Sequence, residues 1–121
     1  MKFSFVTIYV QDMDKSLEFY HNALGLGIVE RRFVDSGGEM AMVGEEGQPT
    51  IELLFDPVYA QNSYTGFSIG IEVESLDEAV AHLESYGCFV VRGPYSPTPD
   101  VRFSFVRDPN DIAVELIERI S

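Results

Sequence analysis

The 121-residue sequence predicts an α+β fold: two tandem βαβββ repeats forming a curved, cup-shaped mixed sheet with helices on the convex face. Three observations predict it. An internal repeat runs at one spacing, a period-two alternation opens each copy, and one helical stripe follows each opening strand. Val6-Thr7-Ile8-Tyr9-Val10 and Met13-Asp14-Lys15-Ser16-Leu17 recur as Ile69-Gly70-Ile71-Glu72-Val73 and Leu76-Asp77-Glu78-Ala79-Val80. Asp14 maps onto Asp77, and the same offset of 63 residues carries Ile51-Glu52-Leu53-Leu54 onto Val114-Glu115-Leu116-Ile117. One shift that fits a strand, a helix start and a closing strand argues for duplication. The chain reads as a single domain, 1–121, with repeats about 1–56 and 66–121. A loop 57–65, rich in turn formers such as Pro57, Asn62 and Ser63, joins them.

Each copy reads strand, helix, then three strands. In the first, Val6, Ile8 and Val10 alternate with Phe5, Thr7 and Tyr9. Asp12 is the expected N-cap, Met13, Leu17, Tyr20 and Leu24 form one apolar stripe, and Gly25 stops the helix. Apolar runs then follow at Ile28 to Val34, Met40 to Val43 and Thr50 to Phe55. In the second copy Ser75 is the N-cap, Leu76, Val80 and Leu83 are the stripe and Gly87 the stop. Its later runs are Cys88 to Val91, Val101 to Val106 and Ile112 to Ile117, with Gly93 to Pro99 and Asp108-Pro109-Asn110 between them.

Charge narrows the partners. With 8 basic residues against 20 acidic ones the formal net charge is −12, which repels a polyanion over most of the surface and argues against nucleic-acid binding. No apolar run approaches the roughly 18 residues that a membrane-spanning helix needs. The short N-terminal run meets Ser4, Thr7 and Asp12 and lacks a small-residue cleavage site, so it does not read as a signal peptide. Cys88 is the single cysteine; no intrachain disulfide can form, and a reducing cytoplasmic setting suits the chain. Opening an apolar run, Cys88 reads as a small buried hydrophobe rather than a nucleophile.

A helix covers one face of a four-stranded sheet, so the two faces should differ. If Val6, Ile8, Val10, Ile69, Ile71 and Val73 pack under the helices, the other face carries Phe5, Thr7, Tyr9, Ser68, Gly70 and Glu72. In the simplest register Glu52 and Leu54, and Glu115 and Ile117, share that mixed face. Arg102 and Ser104 alternate with Val101, Phe103 and Phe105 and are expected to line the same cup. The candidate ligand-binding residues are thus Phe5, Thr7, Tyr9, Glu52, Leu54, Ser68, Glu72, Arg102, Ser104 and Glu115.

The run Val10-Gln11-Asp12-Met13-Asp14-Lys15-Ser16-Leu17-Glu18-Phe19-Tyr20, the Leu24-Gly25-Leu26 step, Arg107-Asp108-Pro109-Asn110 and the closing Val114-Glu115-Leu116-Ile117-Glu118 together resemble the vicinal oxygen chelate superfamily. That group includes glyoxalase I, extradiol dioxygenases and the bleomycin- and mitomycin-binding resistance proteins. The resemblance covers nearly the whole chain, and its motifs specify the fold rather than one activity. Asn110-Asp111 departs from the usual Asp-Gly or Asn-Gly of the late turn. The resemblance also implies a homodimer, often with both chains completing each cup.

In metal-dependent members four ligands, usually His and Glu, come from the first and last strands of each repeat. Carried onto this sequence, the first-strand positions are Phe5 and Ser68 and the last-strand positions Glu52 and Glu115. Both carboxylates are present and both imidazoles are missing. Phenylalanine has no lone pair to donate, and a serine hydroxyl is a poor ligand for Zn²⁺ or Ni²⁺. No metal cofactor is therefore expected, although Glu52 and Glu115, with Glu72 and water, are oxygen donors of the kind that suit Mg²⁺ or Ca²⁺. His21 and His82 fall on the predicted helices and read as surface residues, which leaves no base beside a cup nucleophile.

Two readings stand for Glu52 and Glu115: wetted carboxylates partnered by a group such as Arg102, or working groups of a site. They lead to two functions. One is a metal-free module that binds or sequesters a small aromatic or cationic ligand. The other is a metal-dependent lyase, isomerase or dioxygenase of the glyoxalase I type with an altered metal site.

Overall fold

A computed structural model of the chain describes residues 1–35, 37–57 and 66–120. It divides into two compact units, Met1–Ser63 and Tyr64–Ser121. In the first unit β1 (Phe5–Tyr9) leads to α1 (Met13–Leu17), then β2 (Gly27–Phe33), β3 (Glu39–Gly44) and β4 (Thr50–Phe55). In the second, β5 (Ser68–Val73) leads to α2 (Leu76–Glu84), β6 (Arg92–Thr98), β7 (Val101–Arg107) and β8 (Ala113–Arg119). The sheets have orders β1-β4-β3-β2 and β5-β8-β7-β6, with the outer pairs β1/β4 and β5/β8 parallel and the rest antiparallel. This is the tandem βαβββ, α+β architecture.

The parallel pairing follows from the helix, which carries the chain back over the sheet so that first and last strands run the same way. Asp12 caps α1 by accepting from Lys15 N at 3.0 Å, and Ser75 caps α2 by accepting from Glu78 N at 3.2 Å. α1 continues as a π-helical segment, Glu18–Ala23, in which Leu24 N reaches back to Phe19 O at 2.9 Å. Gly25 ends it at φ +80, a left-handed conformation that glycine adopts without a Cβ penalty.

The alternation sorts the two faces. Ile8, Val10, Ala41, Val43 and Leu53 are fully buried in the first unit, where α1 packs on β4, and Val106, Val114 and Leu116 likewise in the second, where α2 packs on β7 and β8; Leu17, Phe19, Tyr20, Leu76 and Leu83 are buried with them. Burying each large aliphatic side chain contributes about 2 kcal/mol, so these layers are what hold each unit together.

One strand begins later than the apolar pattern suggests. Cys88 to Val91 is not a strand, and all of the expected turn region Gly93 to Pro99 except Pro99 belongs to β6. Cys88 N still bonds Leu83 O at 3.0 Å, so these residues finish the helix turn, and the approach to β7 starts where Val91 N reaches Phe105 O at 2.8 Å. β6 then pairs only through Arg92, Tyr95 and Thr98, skipping Pro94 and Pro97, which have no N–H to give and are tolerated on an edge. The expected loop over 57–65 lies almost wholly outside the described residues.

Candidate functional site

Strand register places one row of side chains across the middle of each mixed face. In the first unit Thr7 lies opposite Glu52, Glu52 opposite Met42, and Met42 opposite Glu30. Thr7 Oγ1 donates to Glu52 Oε1 at 2.6 Å, a charge-assisted bond that occupies part of the carboxylate's acceptor capacity. Phe5 and Tyr9 flank Thr7 on the same face, Leu54 flanks Glu52, and Phe5 is 47% exposed. Glu30 pairs with Arg32 at 2.9 Å.

In the second unit the matching row is Gly70, Glu115, Phe105 and Arg92. Gly70 puts nothing beside the carboxylate, and a Cβ built there would meet no atom within 4 Å. The described residues supply Glu115 with no hydrogen-bond or ion-pair partner. The Arg92 guanidinium lies over the Phe105 ring, 4.1 Å from its centroid. Phe103 meets Phe105 edge to face with centroids 5.8 Å apart, and Tyr95 meets Phe103 at 5.5 Å. Ser68 is exposed opposite Ala113, and Glu72 bonds Arg119 Nε at 3.1 Å.

Two expected site residues turn the other way. Arg102 lies opposite Glu118 and Ser104 opposite Leu116, so both face the helix. Arg102 reaches Asp77 of α2 at 3.3 Å and Glu118 at 4.0 Å, while Glu118 Oε1 accepts from Leu76 N at 2.7 Å. The physical role is therefore to tie α2 to its sheet. Ser104 is 2% exposed under that helix. The residues that take their places on the mixed face are Phe103, Phe105 and Arg92. The hairpin pairing of β7 with β8, in which Phe105 meets Glu115, is the signal that finds them.

The remaining reactive groups lie elsewhere. His21 Nδ1 lies 2.7 Å from Leu26 O, and the His82 ring packs on Tyr86 with centroids 5.3 Å apart. Cys88 is half-buried, less than its apolar run suggests, with Sγ 3.6 Å from Arg107 O, and burial pushes its thiol pKa up. Asp108 is a buried structural carboxylate whose Oδ1 accepts from Asn110 N at 2.8 Å and Ile112 N at 2.7 Å, closing the β7–β8 turn.

A transition-metal centre of the glyoxalase type does not fit these donors. Each unit offers one carboxylate at a ligand position, and each imidazole position is held by a side chain of the wrong chemistry, Phe5 in one and Ser68 in the other. The Thr7 hydroxyl further engages Glu52. No group of three or more His, Cys, Asp or Glu side chains with metal-site geometry occurs among the described residues. The alternative oxygen set loses Glu72 to Arg119.

The family described as the Glyoxalase/Bleomycin resistance protein/Dioxygenase superfamily matches residues 2–116. A probable lactoylglutathione lyase of Synechocystis sp. is 33% identical over 124 residues, spanning 94% of this chain and 92% of that protein. The uncharacterized protein YaeR of Escherichia coli is 32% identical over 125 residues, spanning 94% and 93%. Among solved structures, glyoxalase I of Leishmania major superposes with a TM-score of 0.79 at 25% identity, covering 98% of this chain and 86% of that one. A glyoxalase family protein from Bacillus cereus gives 0.82 at 22% identity over 100% and 95%, a likeness of fold alone. No helix among the described residues is long and apolar enough to cross a membrane. With the matched span running through both units, the chain belongs to the glyoxalase/bleomycin resistance protein/dioxygenase superfamily.

Proposed function

We propose that this chain is a binding protein of its superfamily, taking a small ring-bearing ligand on the mixed faces of its sheets and working without a transition metal. The single observation that carries this reading is the donor set: Phe5 and Ser68 stand where imidazoles would be needed, leaving Glu52 and Glu115 alone. Two carboxylates fall short of the three or more protein ligands that catalytic zinc sites use. Aromatic side chains on the mixed face of the second unit supply stacking surface in place of a metal. The proposal includes a homodimer, to be tested by sedimentation equilibrium, and a reducing cytoplasmic setting suited to the free Cys88.

The second reading is a lyase, isomerase or dioxygenase of the glyoxalase I type with an altered metal site. Both retained carboxylates and the relatives named lactoylglutathione lyase favour it. Turnover of the glutathione hemithioacetal of methylglyoxal separates the two. We expect none above the uncatalysed rate with added Zn²⁺ or Ni²⁺, and a clear gain in Zn²⁺ affinity in the double variant Phe5→His, Ser68→His. Metal-dependent turnover by the unaltered chain, abolished in Glu52→Gln, would replace the binding-protein reading with the enzyme.

A further inference from the structure

We propose that the mixed face of the second unit is a receptor for a ring-bearing carboxylate, with Arg92 as the residue that takes the carboxylate. This rests on reading that face as a ligand surface and adds the charge the ligand must carry.

In a chain with 20 acidic and 8 basic residues, an arginine is surrounded by candidate counter-charges. Arg31 bonds Glu39, Arg32 pairs with Glu30, Arg102 with Asp77, Arg107 with Asp111 and Arg119 with Glu72. Among the arginines, all of which lie in the described residues, Arg92 alone has no acidic partner there, and it stands on the face that carries the buried Phe105, the half-buried Phe103 and the exposed Tyr95. The Phe105 ring covers the flat of its guanidinium. Stacking uses the π surface and leaves the in-plane N–H fork, which matches a carboxylate through two parallel hydrogen bonds.

The neighbours fix the ligand's other end. Phe103 and Tyr95 continue from Phe105 along the same face, and Tyr95 is 44% exposed, so a planar ring has a surface to stack on. Glu115 stands across Phe105 from Arg92 and repels an anion, so the carboxylate is directed to the Arg92 side. The first unit has none of this. Its matching row puts Met42 in the place of Phe105 and Glu30, already paired with Arg32, in the place of Arg92.

The test is calorimetric titration of the full chain, dialysed against a chelator, with three probes of one shape: 3-phenylpropionate, 3-phenylpropanamide and 3-phenylpropylammonium. The carboxylate is expected to bind about tenfold or more tighter than the amide, the difference between a charge-assisted and a neutral pair. Arg92→Met should erase that preference, Arg92→Lys should restore part of it, and Arg32→Met in the first unit should leave it unchanged. Equal affinity for carboxylate and amide in the unaltered chain would overturn the assignment, as would tightest binding of the ammonium probe with its loss in Glu115→Gln. The unaltered chain decides the matter even if a variant fails to fold. Stoichiometric metal in the purified protein would instead overturn the metal-free reading, leaving the charge preference of the chelated protein as a separate result.

Discussion

The row Thr7, Glu52, Met42 and Glu30 in the first unit and the row Gly70, Glu115, Phe105 and Arg92 in the second occupy matching backbone positions with different chemistry. In the first, the carboxylate is held by a hydroxyl and the outer charge by Arg32. In the second, the carboxylate has no partner among the described residues, the neighbouring Gly70 leaves the space beside it empty, and the outer charge lies on a ring. The helix faces show a related exchange. Asp14 of α1 is met by Arg31 from β2, while Asp77, its repeat equivalent on α2, is met by Arg102 from β7. Buried alternation fixes the backbone of both units, and the polar partners are free to come from whichever strand reaches the same point.

The two cores are not equally sensitive to a buried charge. Val10 is fully buried, whereas its counterpart Val73 is only partly so. Val10→Asp should cost about 4 kcal/mol or more by burying an unpaired charge, and Val73→Asp clearly less. Urea denaturation of the two variants measures this, and equal losses would contradict the difference. Next comes the β7–β8 turn. Asp108→Ala strands the Asn110 and Ile112 amides and should cost about 2 kcal/mol. Asp111 in the same turn holds φ +66, where the first unit's hairpin uses Gly47 at φ +85. Asp111→Gly should therefore stabilise by roughly 0.5–1 kcal/mol, seen as a raised Tm, by removing the left-handed penalty. The smallest effect tests the rows themselves. Gly70→Thr places a β-former in open space beside Glu115 and should be tolerated, with a gain of about 0.5 kcal/mol or less; a marked loss would show that the space is needed.

Most of the strand and helix layout was legible because burial imposes its period on Ile8, Val10 and Leu53, and because Asp12 and Ser75 announce the helix starts; Val6, expected under the helix by the same alternation, is instead 39% exposed at the strand's open end. The parallel register put Glu52 and Glu115 on the mixed face for the same reason. Arg102 and Ser104 lie on the opposite face from the one alternation suggests, because alternation says which residues share a face but not which face it is. That choice depends on the β7–β8 pairing and on an ion pair to α2 formed far along the chain. Sequence alone does not single out Arg92, because the apolar Cys88 to Val91 resembles a strand while two prolines disguise β6.

With Phe5 and Ser68 in place of the imidazoles, the chain is expected to fold and bind without a transition metal. Elemental analysis of the protein, purified without chelator from cells supplied with zinc, nickel and iron, tests it most directly. Each metal is expected well below one ion per chain, since one strong donor per unit cannot hold it through purification. A content close to one Zn²⁺, Ni²⁺ or Fe²⁺ per chain, lost in Glu52→Gln, would contradict it.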